Sequence, residues 1–500
     1  MISFNNIPTT VRTPGAHAEI DNSRALQGLA QNPHKALIIG EKTSSGTVDY
    51  DTVIAISSDN LADGYFGSGS VLARMCNVFK DNNPNTELYA MAIGSGVSGT
   101  AAEGGVYFSA ALESDAQTST GTYYLMINGV EIQVPIAVAD SVLNIVSAAY
   151  ALINDRPETG VTAASGGTGS AGRLVLSAIN SGTLGNYINI RANYYTGQST
   201  ASVFSTAPTI SAMASGATDP DLGDAWAVID NERYNYIIQP WTTAANLTEI
   251  EDELEDRFGP LIDKQGHGFT AYRGTAASCT TLGNTRNSPY NTIMGAYDSP
   301  SGPPEWAAAL GAKAAFNLNV DPARPLHFLK LKGILPPPAE NRFTRAERDV
   351  LLYDGIATYR VDNGGNVLID RCITTYQTNA LGITDPSYLD VNTLATLGEI
   401  RDQWLIRMSN RFLAPRFKLA DDTFPVQPGT YVATPGMVKQ ETIALFTLLR
   451  DRGLIENLDD FIENLVVERN LSDVNRVDVL LPCDVINQFR IIAGKLQFIL

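Results

Sequence analysis

Residues 35–40 read KALIIG, residues 70–79 read SVLARMCNVF and residues 86–94 read TELYAMAIG. The first is a short apolar run ending in glycine, which suits a strand and is too short for a helix. The second puts Val71, Leu72, Met75 and Phe79 on one helical face. The third is a strand again. Strand, helix and strand in this order predict an α/β core. The pattern returns downstream. Residues 222–229 predict a helix and YNYIIQP (234–240) a strand. Residues 246–258 predict an amphipathic helix with Leu247, Ile250, Leu254 and Phe258 in line, stopped by Gly259-Pro260. FTAYRG (269–274), NTIMGA (291–296), a helix opened by Pro303 and HFLKLKG (327–333) follow.

Between these stretches the composition changes. Residues 95–217 are rich in Gly, Ser, Thr and Ala and carry short alternating runs: TYYLMING (122–129), VEIQVPIAV (130–138), GRLVLSAI (172–179) and NYINIRANYY (186–195). One helix interrupts them, over 140–155, with Asp140 as its expected cap. This predicts a mostly β domain inserted into the α/β domain. Pro336-Pro337-Pro338 predicts a domain boundary. Beyond it, GIATYRVDNGGNVLIDRCITTY (355–376) signals a hairpin around Asn363-Gly364-Gly365. Two helices follow. The first, over 393–412, has Leu394, Leu397, Trp404, Leu405, Met408 and Phe412 in a stripe; the second is opened by Pro435. NLVVERN (464–470) and RVDVLL (476–481) read as the last strands.

The expected fold class is therefore α/β plus β, in five parts. They are an N-terminal arm (1–30), a discontinuous α/β core (31–94 and 218–335), the inserted mostly-β surface domain (95–217), an α+β C-terminal domain (336–484) and a C-terminal arm (485–500).

The ends are unusual. Residues 1–30 carry spaced apolar anchors, among them Ile2, Phe4, Ile7 and Val11, with Pro8, Pro14 and Gly15 blocking a helix. The far end, RVDVLLPCDVINQFRIIAGKLQFIL (476–500), stays apolar throughout, with Ile491, Leu496, Phe498 and Leu500 in its final run. Termini are normally polar and fray unless something holds them. Two extended apolar ends predict arms that add strands to a neighbour's sheet.

The hydrophobic share of 44% is that of a globular protein, and charged residues make up only 18%, which fits a surface covered by other subunits. The net charge of -18 and pI near 4.7 argue against wrapping nucleic acid. Cys76, Cys279, Cys372 and Cys483 are far apart and form no zinc or disulfide framework, which predicts free thiols in a reducing cytoplasm. No stretch reaches the ~20 apolar residues that span a bilayer, so no direct membrane insertion is expected.

Catalytic motifs are weak. Gly94 to Gly99 matches G-x-G-x-x-G after a strand, but Gly104-Gly105 break any helix that should present its N-terminus to a pyrophosphate. A second match, Gly167 to Gly172, lies before a strand. There is no Walker loop, H-E-x-x-H or G-x-S-x-G, and His17, His34, His267 and His327 are isolated. The acids of 249–256 form the solvated face of their helix. Arg342, Arg345 and Arg348 share a broad helical face interleaved with acids. No catalytic, cofactor or metal residues are expected. A cytoplasmic nucleotide-dependent α/β enzyme using the Gly94–Gly99 loop is the competing reading.

Several segments, in order over nearly the full length, resemble the contractile phage tail sheath proteins of the Mu-like type. They are FNNIP (4–8), VRTPGAHAEIDNSRALQGL (11–29), PHKALIIG (33–40), LKLKGILPPPAENRFTRAERDVLLYDGIATYRVD (329–362) and NRVDVLLPCDVINQFRIIAGKLQFIL (475–500). The resemblance implies a non-enzymatic structural subunit of six-fold rings stacked helically around a tail tube. It implies a variable outward insertion and a C-terminal domain lining the sheath interior. The arms would pair with neighbouring subunits and stay paired through contraction, with Pro14, Gly15 and Gly494 as hinges. Lys330, Lys332, Arg342 and Arg345 would face the tube. The implied partners are further copies of the chain, the tube protein, the baseplate and the tail terminator, in a virion tail assembled in the host cytoplasm. A phage-derived contractile bacteriocin would use the same kind of subunit.

Overall fold

The computed structural model describes Gly15 and residues 33–499, apart from residues 59, 95–97, 110–119, 167–171, 201–202, 205 and 428. The described chain divides into two compact units. One holds residues 33–399 and 485–499, the other residues 400–484.

The larger unit is built on an eight-stranded sheet. Its strands are β1 (Lys35–Gly40), β2 (Val53–Ala55), β3 (Glu87–Ala92), β11 (Tyr236–Ile238), β12 (His267–Tyr272), β13 (Asn291–Gly295), β14 (Ile356–Val361) and β15 (Val367–Arg371). The order is β15-β14-β13-β12-β11-β1-β3-β2, parallel from β14 to β3 and antiparallel at both edges. Central strands are apolar without alternation because both faces are covered; in β1 every residue from Ala36 to Gly40 is buried. The two faces can be told apart on β12. Gly268 lies under Ile250 and Leu254 of one helix, while the next residue, Phe269, faces Gly311 of another. These helices are α5 (Ala244–Phe258) and α7 (Pro303–Val320). A methyl at Gly311 would come within 2.4 Å of Ile238, so the glycine is what lets α7 lie on the sheet.

Earlier in the chain lie α1 (Leu61–Phe66) and α2 (Val71–Asn82). Ser70 caps α2 by accepting from Ala73 N–H, and α2 packs against α7.

Residues 101–214 form two smaller sheets with a hydrophobic core of their own. One is β10-β4-β8-β7, from β4 (Ala101–Phe108), β7 (Val161–Gly166), β8 (Gly172–Ser181) and β10 (Thr209–Ala214). The other is β6-β5-β9, from β5 (Gly121–Ile127), β6 (Val130–Ile136) and β9 (Ile190–Ala192). Helix α3 (Val142–Asn154) packs on both. Its cap is Ser141, which accepts from Asn144 N–H, and not Asp140, whose carboxylate accepts from Ala137 N–H instead.

Polar contacts fasten this part to the large sheet's helices. Arg74 of α2 and Glu305 of α7 pair at 2.7 Å while both are buried, and Asn128 Nδ2 donates to the same carboxylate at 3.1 Å. Arg191 meets Asp298 at 2.9 Å. Asn180 accepts from Val71 N–H and donates to the Lys42 carbonyl.

The boundary expected at Pro336 is corrected by the hairpin beyond it. Strand β14 pairs in parallel with β13, Ile293 beside Ile356 and Met294 beside Ala357, so residues 356–371 belong to the core sheet. The three prolines are a strap bound to that same unit. Tyr194 Oη donates to the Pro336 carbonyl at 2.7 Å and Arg342 Nε to that of Pro337 at 3.1 Å. Helix α8 (Arg345–Tyr353) follows, with α4 (Gly223–Ile229) and α6 (Ala276–Gly283) earlier in the chain.

The division between the units falls at Ile400, within α9 (Val391–Met408). In the smaller unit, α10 (Pro435–Asp451) and α11 (Leu458–Asn464) meet through Phe446 and Phe461, stacked at 3.9 Å. A hairpin of β18 (Val466–Arg469) and β19 (Val477–Leu480) packs Val467, Val477 and Val479 against Met408, Phe412 and Val438. Short β16 (Lys418–Leu419) and β17 (Val432–Ala433) pair in parallel in the same unit.

Candidate assembly surfaces

Residues 486–499 form neither helix nor strand, and residues 491–499 are all exposed. Phe489, Ile491, Ile492, Leu496, Phe498 and Ile499 hold their side chains in solvent, Leu496 at 94% and Ile499 at 99% of full exposure. Each such side chain gains about 1.5–3 kcal/mol when fully buried, so a partner surface that covers them has a large gross driving force before ordering costs. Gly494 has no atom within 4 Å of where a Cβ would sit, so its freedom is not limited by neighbours. Leu500, Ile2, Phe4, Ile7, Val11 and Pro14 lie outside the described residues; Gly15 is described and exposed.

The root of this segment is tied down. Arg490 pairs with Asp390 at 2.5 Å, and Arg371 reaches the same carboxylate at 3.3 Å. Burial pulls the Arg490 guanidinium below its ordinary pKa, and Asp390 works against that pull. A groove of about 560 Å³ opens there, between residues 325–328, α8, the β14–β15 hairpin and residues 488–491. Neither Arg490 nor Asp390 stands out in the sequence, since the pair spans a hundred positions and only folding brings it together.

The four basic residues expected to face a tube are not equivalent. Lys332 pairs with Asp81 at 3.1 Å, and Arg342 is spent on the proline strap. Lys330 and Arg345 are exposed, and Arg345 lines the groove. Arg348 pairs with Asp370 of β15 at 3.1 Å, not with an acid on its own helix. Glu347 is occupied in a capping box with Thr344, a signal present in the sequence as T-x-x-E.

Nothing in the described residues assembles a reaction centre. Strand β4 starts at Ala101, two residues after Gly99, so among the described residues no helix follows the Gly94–Gly99 motif to present its N-terminus to a phosphate. His34 is bonded to Tyr236 Oη, and His267 is buried against Thr292. Burial pushes His267 down to about 3 and keeps it neutral. His327 packs edge-on against Phe328. Burial pushes the Cys279 and Cys372 thiols up to about 12, which leaves them unreactive. Among the described residues no group of three or more His, Cys, Asp or Glu is placed to hold a metal, and no helix is long and apolar enough to cross a membrane.

Comparison with known proteins decides the family. The model of the phage tail sheath protein central domain matches residues 215–375, and that of the phage tail sheath C-terminal domain matches residues 384–499. The Mu-like prophage FluMu tail sheath protein of Haemophilus influenzae is 35% identical over 499 residues, with 100% of each chain covered. The chain belongs to the phage tail sheath family. It is a structural subunit of a contractile tail sheath and not an enzyme. The sheath fold is also that of a chain in the six-fold symmetrised baseplate of the anti-feeding prophage, at TM-score 0.50 and 9% identity over 98% of this chain and 100% of that one. A sheath tail protein of Desulfitobacterium hafniense gives TM-score 0.49 and 11% identity over 95% and 97%. In this sheath chain the two matched regions meet between residues 375 and 384, past the β14–β15 hairpin, and residues 101–214 lie outside both.

Proposed function

We propose that the chain polymerises with copies of itself, through both ends, into six-fold rings stacked helically around a tail tube. The finished sheath contracts and drives the tube through the host envelope for genome ejection. The observation that carries this reading is the solvent-exposed apolar segment from Phe489 to Ile499 on an otherwise well-packed unit. Residues Ile2, Phe4, Ile7 and Val11 act in the same way at the other end, with Pro14, Gly15 and Gly494 as the joints that let paired arms turn. The tube protein, baseplate and tail terminator are the further partners, in a virion tail assembled in the host cytoplasm. Lys330, exposed as it is, carries the tube-facing role more readily than Lys332 and Arg342. A contractile bacteriocin would place the same subunit in a particle without a genome.

Negative-stain electron microscopy of the purified chain, alone and co-expressed with its tube protein, tests the reading. Striated hollow tubes or stacked rings are expected. Removal of residues 1–12 or 495–500 is expected to leave a folded subunit that forms neither. Tubes formed by both truncations would sink the arm reading.

A further inference from the structure

The groove beside the root of the C-terminal segment is positively charged in a chain of net charge -18. Five arginines line it: Arg345, Arg348, Arg360, Arg371 and Arg490. Three aspartates oppose them. Asp370 takes Arg348, Asp390 takes Arg371 and Arg490, and Asp349 has no cation within ion-pairing distance among the described residues. Five against three leaves two positive charges over. The two arginines without a carboxylate are the exposed ones. Among the described residues Arg345 makes no contact with an acid, and Arg360 lies over the Phe328 ring at 4.6 Å. The guanidinium fork suits carboxylates presented from outside.

The chain carries a surface of the opposite kind. On α5, Glu249, Asp252, Glu255 and Asp256 are exposed and, among the described residues, have no cation within ion-pairing distance. Glu249, Asp252 and Asp256 stand at i, i+3 and i+7, so they share one stripe. The helix's other acids are already used: Glu253 holds Arg257 and Glu251 holds Arg286. Helix α5 packs over β12, three strand positions from β15, about 14 Å at the usual spacing. Groove and stripe are therefore separate surfaces of one molecule. Two different, complementary surfaces on the same chain give a head-to-tail contact, the kind that propagates into rings or helices.

We infer that the groove lined by Arg345 and Arg360 receives the acidic stripe of α5 from a second copy of the chain. This rests on the sheath-assembly reading above and adds to it a named contact outside the arms. The contact is electrostatic, so it orients subunits and responds to salt, whereas the arms supply apolar burial.

Full-length chains test it. One variant carries Arg345→Glu and Arg360→Glu; the other carries Glu249→Lys, Asp252→Lys and Asp256→Lys. All five positions are exposed, so both variants are expected to fold, as circular dichroism will check. The fraction of chain in polymer is read by sedimentation and electron microscopy. Each variant alone is expected to lose assembly at least about tenfold. Mixed in equal amounts they are expected to co-assemble, because each groove then meets a stripe of opposite sign. Misfolding cannot be cured by mixing. Normal assembly of either variant alone, or no recovery in the mixture, would overturn the inference. If wild-type chain assembles and arm truncation abolishes it while these variants behave as wild type, the groove contact fails and the assembly reading stands. If wild-type chain never assembles, even with its tube protein, the broader reading fails with it.

Discussion

At the scale of single residues, Glu41 is the group most out of place. It follows β1 directly, is buried, and its Oε2 has no hydrogen-bond partner among the described residues. Burial, with the Asp219 carboxylate adding to it, pushes Glu41 from 4.5 up to about 8. Lys42 gives no help, because its ammonium donates to the Gly46 and Val48 carbonyls. A carboxyl whose folded pKa is raised stabilises the fold fully below its unfolded pKa, and that stability is lost as pH rises through the folded value. The unassembled subunit should therefore lose stability between about pH 4.5 and 8, by about 3–5 kcal/mol if the shift is fully expressed. Glu41→Gln should remove that slope and unfold at a higher temperature than wild type at pH 8. Thermal melts of both proteins from pH 5 to pH 9 check this, and parallel curves would refute it. Little at this scale was legible in the sequence. The one cap read from the sequence, Asp140, gives way to its neighbour Ser141, and the caps Ser70 and Thr344 emerged only with the structure although their signals are local. Glu41, and the buried pair of Arg74 with Glu305, take their character from residues far away in the chain.

At the scale of elements, periodicity served well wherever it was local. The strands at 35–40, 87–92 and 291–295 and the helix at 244–258 lie where their apolar spacing puts them. The hairpin of 355–376 was equally plain as a hairpin, but its membership was not. Its partner is β13, about sixty residues earlier, and a parallel pairing of that kind leaves no mark in the local pattern. The three prolines looked like a linker. They donate no N–H, but the Pro336 and Pro337 carbonyls accept from Tyr194 and Arg342, which hold them against the core. Where the unit ends has a practical consequence. A fragment of residues 33–399 should fold cooperatively, whereas one of residues 33–335 would expose the β13 edge and should aggregate. Urea unfolding followed by tryptophan fluorescence distinguishes them; a cooperative transition in the shorter fragment would contradict the sheet order.

At the scale of the whole molecule, the apolar run at the C-terminal end was plain in the sequence, and residues 491–499 are exposed. The attachment of that run was not plain. Asp390 holds Arg490 and Arg371 together, so it fixes where the exposed segment leaves the body of the larger unit. Asp390→Asn should leave the core intact while trypsin cuts after Arg490 several-fold faster than in wild type. Equal cleavage rates would mean that the ion pair does not hold the root.

The largest sheet has one further property. Its β15 edge is closed by the chain itself: Phe328 N–H donates to the Ile369 carbonyl, Ile369 N–H to that of Leu329, and Leu331 N–H to that of Val367. The opposite edge, β2, is only three residues long. Neither margin offers a long row of free backbone groups to a passing strand. Concentrated solutions of this subunit are therefore not expected to seed amyloid from its biggest sheet.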